Sequence, residues 1–245
     1  EVVVHAVVSD PAWRGDETFD PKRSLLSERH QGTFADTVIV PSGNVIAKPA
    51  SLSFAEAACL PTAWLTAYRM LFTQGDLKAG DTVLVQGAGG GVATALITLA
   101  RAGGLRVLAT SRDEAKRARA LELGAAGAFD SAGPFPVACD VVIESVGPAT
   151  WDASMRALQP GGRLVVCGGT SGPVVELNLP RLFFKQYEVI GSTMGGYGEF
   201  ATVVDLVGQG LDVVVDAELS LAEYPAALER LAAGDQMGKI VLHHR

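Results

Sequence analysis

The stretch TVLVQGAGGGVATALITLA, residues 82–100, carries the strongest chemical signal in this chain: a β-branched run breaks into glycine and resumes as an apolar helical pattern. Where a strand turns through glycine into a helix, backbone N–H groups at the helix start can face a pyrophosphate, and the helix dipole adds favourable potential. The spacing departs from a strict G-x-G-x-x-G. From Gly87 the sixth residue is Val92, whereas from Ala88 the frame runs Ala88, Gly90, Ala93. The second frame puts Gly90 where backbone must approach phosphate, and Ala93 stays small enough for helix and strand to pack closely. Ala88, Gly89, Gly90, Gly91 and Val92 are the candidate dinucleotide contacts; the competing reading is a tight strand-to-helix turn and nothing more.

Which dinucleotide depends on the end of the next strand, in RVLATSRDEAKRARA. An NAD site places a carboxylate there, about 20 residues beyond the glycines, to accept from the ribose 2′-hydroxyl, whereas an NADP site avoids that charge and supplies cations. The strand-end position is Ser111, Arg112 follows, and Lys116 lies one helical turn on. That set favours NADP(H) over NAD(H). Arg112, Lys116 and Arg117 also read as ordinary solvated charges, and Asp113 and Glu114 as first-turn acids of a helix.

These residues need a scaffold, and the chain is long enough to build one, with 245 residues of which 48% are hydrophobic. A net charge of −7 without a basic cluster argues against a nucleic-acid partner. No apolar run approaches the roughly 18–20 residues needed to cross a bilayer, and EVVVHAVV lacks the features of a signal peptide, so a cytoplasmic location is expected. Cys59, Cys139 and Cys167 are far apart in apolar surroundings and read as buried free thiols.

Residues 2–8 read as a strand, 9–32 as a polar surface loop with His30 in it, and TFADTVIVPSGNVIAKP as short strands of part of a small β-barrel. SFAEAACLPTAWLTAYRMLF has helical spacing, with Ser53 and Glu56 placed as a capping box and Pro61 dividing the helix in two. Strands at 82–87, 106–110, 127–130, 140–146, 163–168 and 187–193 then alternate with helices at 91–103, 113–123 and 150–158. The strands are continuous apolar runs, the pattern of a parallel sheet buried on both faces, hence a doubly wound α/β domain. The tail adds a strand, an amphipathic helix and the terminal strand KIVLHH.

GTFADTVIVPSGNVIAKPASLSFAEAACLPTAWLTAYRMLF, the spacing to the glycine stretch, PGGRLVVCGGTSG and the terminal GKIVLHHR together resemble the medium-chain dehydrogenase/reductase superfamily, on its quinone oxidoreductase-like side. The resemblance spans essentially the whole chain. It implies a partial GroES-like barrel at 1–52, a Rossmann domain at 53–212 and a C-terminal return to the barrel at 213–245, with about the first third of a full-length member lying outside this sequence. It also bears on zinc: the loop that carries four cysteines in zinc-bearing relatives has none here, and the third catalytic ligand falls near Thr62, a poor ligand, with Cys59 three residues earlier expected in the core. Zinc is not expected.

The resemblance implies hydride transfer from NADPH to a small-molecule quinone, enone, aldehyde or ketone, with the protein contributing orientation more than acid–base groups. By position it places Thr66, Gly168, Gly169 and Thr170 near the nicotinamide and its ribose, and Ser192, Thr193 and Met194 along the carboxamide. Ser145 and Val146 fall under the adenosine or ribose. Small residues at strand ends are also simple turn formers, and Trp64 and Tyr68 suit a substrate cleft or the core equally. The strand YEVIGSTM is implied to pair with its twin in a homodimer. The alternatives are a zinc alcohol dehydrogenase with ligands upstream, and a non-catalytic NADPH-binding protein.

Overall fold

The computed structural model describes residues 1–133 and 138–244. Along the chain the strands are β1 Val2–Val4, β2 Val7–Val8, β3 Ser24–Leu25, β4 Val45–Ala47, β5 Thr82–Val85, β6 Arg106–Thr110, β7 Gly127–Phe129, β8 Cys139–Glu144, β9 Leu158–Val166, β10 Glu188–Gly191, β11 Val215–Ser220 and β12 Lys239–His243. The α-helices are α1 Phe54–Ala58, α2 Leu65–Tyr68, α3 Gly91–Ala102, α4 Glu114–Glu122, α5 Pro148–Ala157, α6 Leu179–Lys185, α7 Tyr197–Gly208 and α8 Tyr224–Ala233. Among the described residues, no helix is long and apolar enough to cross a membrane.

By backbone contact the chain forms two compact units, residues 1–66 with 193–245, and residues 67–192. Helix α1 lies on β11, and α7 packs on the turn Leu60–Trp64, so those helices belong with the first unit.

In the first unit β1 pairs antiparallel with β4, β2 antiparallel with β3, and β11 parallel with β12. The expected strand over 2–8 is broken at His5, because side chains take the place of a ladder there. Val7 N–H donates to His5 Nδ1 at 2.9 Å, and Asn44 Nδ2 donates to the carbonyls of His5 and Val7. His5 packs edge-on against Tyr197 and Phe200, and burial pushes its pKa down to about 4, so the ring is neutral. The capping box at α1 forms as expected, with Glu56 N–H on Ser53 Oγ and Ser53 N–H on Glu56 Oε2. Pro61 does end α1, but the chain resumes at once as a widened π-helical turn, Leu60–Trp64, which places the proline in a first turn where its missing N–H costs little.

The second unit is a six-stranded sheet in the order β10-β9-β8-β5-β6-β7, parallel throughout. Numbered within the sheet, that order is 6-5-4-1-2-3, the doubly wound arrangement whose strand order reverses between β5 and β8. Val83, Leu84, Val85, Val107, Leu108, Val141, Val142, Ile143, Leu164 and Val165 are all essentially inaccessible, as their unbroken apolar runs require. Helix α3 packs on β5 and β6, α4 on β6 and β7, and α5 on β8 and β9. Strand β9 starts five residues before the expected 163, because Leu158 already pairs with Cys139 before a bulge through Gln-Pro-Gly-Gly restores register at Arg163.

Candidate dinucleotide-binding site

At the reversal point, β5 runs through Gln86 into Gly87, whose φ of +82° suits only glycine comfortably. The turn is tied to the neighbouring strand: Gly87 N–H donates to Thr110 Oγ1 at 3.2 Å and Ala88 N–H to Thr110 O at 2.7 Å. Gly90 is the N-cap of α3, and no side chain fills the cap. A Cβ built on Gly90 meets no described atom within 4 Å, so this helix start is open above its backbone. A Cβ on Gly89 would instead lie 2.7 Å from Lys116 Cδ and 2.9 Å from its Nζ. The lysine therefore lies over the glycine loop at Gly89.

The end of β6 sorts the charged residues named from sequence. Asp113 caps α4, accepting from Lys116 N–H at 3.2 Å, and its own N–H donates to Ser111 Oγ at 3.1 Å. That carboxylate is committed to the helix start. Arg117 is also committed, donating to Ser111 O at 2.7 Å with Asp130 at 3.6 Å. Arg112 is exposed, and Ser111 is 8% accessible at the strand end.

The loops after β8 and β9 pack backbone on backbone. Thr170 N–H donates to Ser145 O, and Ser171 N–H and Oγ both donate to Val146 O. Glycine is required in this contact: a Cβ at Gly169 would stand 2.6 Å from Gly172 O, and one at Gly168 3.2 Å from Ser145 O. Ser192 N–H donates to Val166 O, which places it just past β10. Residues 88–92, 111, 116, 145, 146, 168–170 and 192 thus lie on the loops and helix starts that follow the carboxyl ends of the parallel strands, where ligands bind in open α/β sheets. Thr66, buried on α2, together with Thr193 and Met194, belongs to the other compact unit. Trp64 is buried, and His30 is exposed.

Sequence inspection missed a buried polar network beneath these loops. Glu144, fully inaccessible at the end of β8, accepts on Oε1 from the N–H groups of Val146 (2.7 Å) and Gly147 (3.1 Å). On Oε2 it accepts from the hydroxyls of Thr150 (2.8 Å) and Ser154 (2.6 Å). Ser154 Oγ in turn accepts from Gln86 Nε2 at 2.9 Å, and Gln86 Oε1 from Thr110 Oγ1 at 2.6 Å. The available signal was one carboxylate inside the apolar run DVVIESV, since a glutamate is almost never fully buried without partners.

Among the described residues, no activated thiol lies beside the loops. Burial pushes the Cys167 thiol up to about 11, which leaves it protonated and a poor nucleophile. Cys59, also pushed up to about 11, donates to Ala55 O, and Thr62 is exposed. Among the described residues, no three His, Cys, Asp or Glu side chains converge as metal ligands do. A cavity of about 550 Å³ lies between α5 and residues 174–178; there Asp152 pairs with Arg156 and Arg181 and Asn178 caps α6, while the buried indole Nε1 of Trp151 has no hydrogen-bond partner among the described residues.

A family model described as zinc-binding dehydrogenase matches residues 91–209. The quinone oxidoreductase of Mus musculus is 30% identical over 86% of this chain and 69% of its own length. A crystal structure of an NAD-dependent alcohol dehydrogenase superposes with a TM-score of 0.94 at 31% identity, covering all of this chain and 76% of that one. A 2-octenoyl-CoA carboxylase reductase, solved with NADP and 2-octenoyl-CoA, superposes with a TM-score of 0.92 at 26% identity over 98% of this chain; the present chain spans 62% of that protein. The sheet order, the glycine turn and these likenesses agree, and the chain belongs to the medium-chain dehydrogenase/reductase superfamily, whose members are NAD(P)-dependent oxidoreductases.

Proposed function

We propose that the chain binds NADP(H) and takes part in hydride transfer to a quinone, enone, aldehyde or ketone. The observation that carries the choice of cofactor is the placement of Lys116 over Gly89, with Ser111 rather than a carboxylate at the end of β6. Two acids follow Ser111 in sequence, and the first is consumed as the α4 cap, which lowers its repulsion of a 2′-phosphate. NADPH, when bound, supplies the hydride. The chain's own groups hold it: the open start of α3 faces the pyrophosphate, Lys116 and Arg112 face the 2′-phosphate, and Ser145, Val146, Gly168, Gly169 and Thr170 border the ribose and nicotinamide. Ser192 completes the proposed contacts of this unit. With a protonated Cys167 and a fully engaged Glu144 beside the loops, the protein's contribution is orientation rather than proton transfer.

A homodimer through β10 is part of the same proposal. Among the described residues this strand pairs only with β9 and ends the sheet, with Val189 41% exposed and nearby α6 presenting Phe183 and Phe184 at 59% and 78%. An apolar sheet edge of this kind needs covering. Sedimentation should give twice the chain mass, and a monomer at micromolar concentration would remove this part of the proposal.

The activity is tested by following NADPH oxidation with a quinone, an enone and an aldehyde in turn, with and without a chelator. Turnover of at least one acceptor that survives chelation is expected. Turnover lost on chelation would favour the zinc-dependent alternative. Tight NADPH binding with no acceptor turned over would favour a non-catalytic nucleotide-binding role.

A further inference from the structure

We infer that Glu144 is a positioning residue for the dinucleotide, holding the loops after β5, β6 and β8 in one fixed arrangement through a single buried hydrogen-bond chain. The inference rests on the cofactor site proposed above. A fully buried carboxylate is expensive, and an apolar residue at this place in β8 would pack without that cost. What the carboxylate does is directional. It accepts four hydrogen bonds, the full capacity of its two oxygens, from two backbone N–H groups and two hydroxyls.

The two backbone bonds turn the N–H groups of Val146 and Gly147 inward and fix Gly147 at a φ of +92°. The carbonyls of Ser145 and Val146 are thereby left to receive Thr170 and Ser171, which fixes the loop after β9 as well. The hydroxyl side carries the same constraint to the glycine turn. Ser154 passes it to Gln86, Gln86 to Thr110, and Thr110 accepts the N–H of Gly87, the residue whose positive φ starts the phosphate-facing turn. Gln86 and Ser154 are 68 positions apart, so no local propensity holds these loops in register; the network does.

The test compares wild type with Glu144→Gln, Thr150→Val and Thr150→Ser by fluorescence titration with NADPH, melting temperature, and hydrogen exchange at Val146 and Gly147. In Glu144→Gln, the NADPH dissociation constant of the folded protein should rise about tenfold or more, because hydrogen bonds to a charged group are lost or misdirected. Exchange at Val146 and Gly147 should quicken. Thr150→Val keeps shape and removes one hydroxyl, so a rise of about fivefold is expected, and Thr150→Ser, which restores the hydroxyl, should return the constant to within about twofold of wild type. Should Glu144→Gln fail to fold, the Thr150 pair decides alone. Variants that melt earlier yet bind NADPH as tightly as wild type would make the network merely structural and overturn the inference while leaving the cofactor site intact. A wild-type chain that does not bind NADPH would overturn both.

Discussion

Helices α3 and α4 follow adjacent strands of the same sheet and start in opposite ways. At α4, Asp113 occupies the N-cap and takes the N–H of Lys116. At α3, the N-cap is Gly90, no side chain reaches it, and the space a Cβ would occupy is open. A helix start carries four N–H groups without an intrahelical partner, and a protein normally supplies one. This chain supplies its own side-chain acceptor at the α4 start and none at the α3 N-cap, where the proposed pyrophosphate would sit, while Lys116, on the first turn of α4, lies over the α3 loop. The acid two residues past Ser111 is thus engaged in the α4 start, while the lysine three residues on lies beside the glycine loop.

The comparison breaks most sharply if the open helix start is given the cap it lacks. Gly90 has a φ of −79° and a ψ of 160°, which any residue adopts, so Gly90→Asp should fold normally and hold or slightly raise the melting temperature. The new carboxylate would fill and repel the anion site, and NADPH affinity in a fluorescence titration should fall by about a hundredfold or more. Unchanged affinity would mean that the α3 N-terminus faces no phosphate. Lys116→Ala is expected to weaken NADPH by about tenfold and NADH by less than about twofold, since only the former carries a 2′-phosphate. Equal losses for both would place the lysine on the pyrophosphate instead. Asp113→Ala gives the smallest effect on binding: a loss of about 1 kcal/mol in stability by chemical denaturation, with NADPH affinity unchanged or slightly improved. A large affinity loss there would show that the acid serves the ligand and not only the helix.

Much of this was legible before the fold was known, for reasons that differ by element. The sheet strands announced themselves because burial on both faces demands unbroken apolar runs such as TVLV and DVVIE. The capping box at Ser53 and Glu56 is a four-residue pattern, and it formed. Residues 2–8 have the hydrophobicity of one strand, but the ladder is replaced at His5 by bonds from Val7 N–H to the His5 ring and from Asn44, 39 positions away, to the His5 carbonyl. The early start of β9 depended on a single pairing to Cys139 across the sheet. In the site, the glycine turn and the cations after β6 were visible as local strings. The Glu144 network was not, because its members come from β5, β6, β8 and α5 and meet only after the sheet assembles. Which cation leans over the loop was equally invisible: Arg112, Lys116 and Arg117 look interchangeable in sequence, and only packing assigns Arg117 to Ser111 O and Lys116 to Gly89.

The most direct test is a calorimetric titration of this chain with NADPH and with NADH, run on wild type and on Lys116→Ala side by side. Wild type should bind NADPH at least about tenfold more tightly than NADH, and the gap should largely close in the variant. NADH binding as tight as NADPH in wild type, or a preference that Lys116→Ala leaves untouched, would contradict a 2′-phosphate site that includes Lys116.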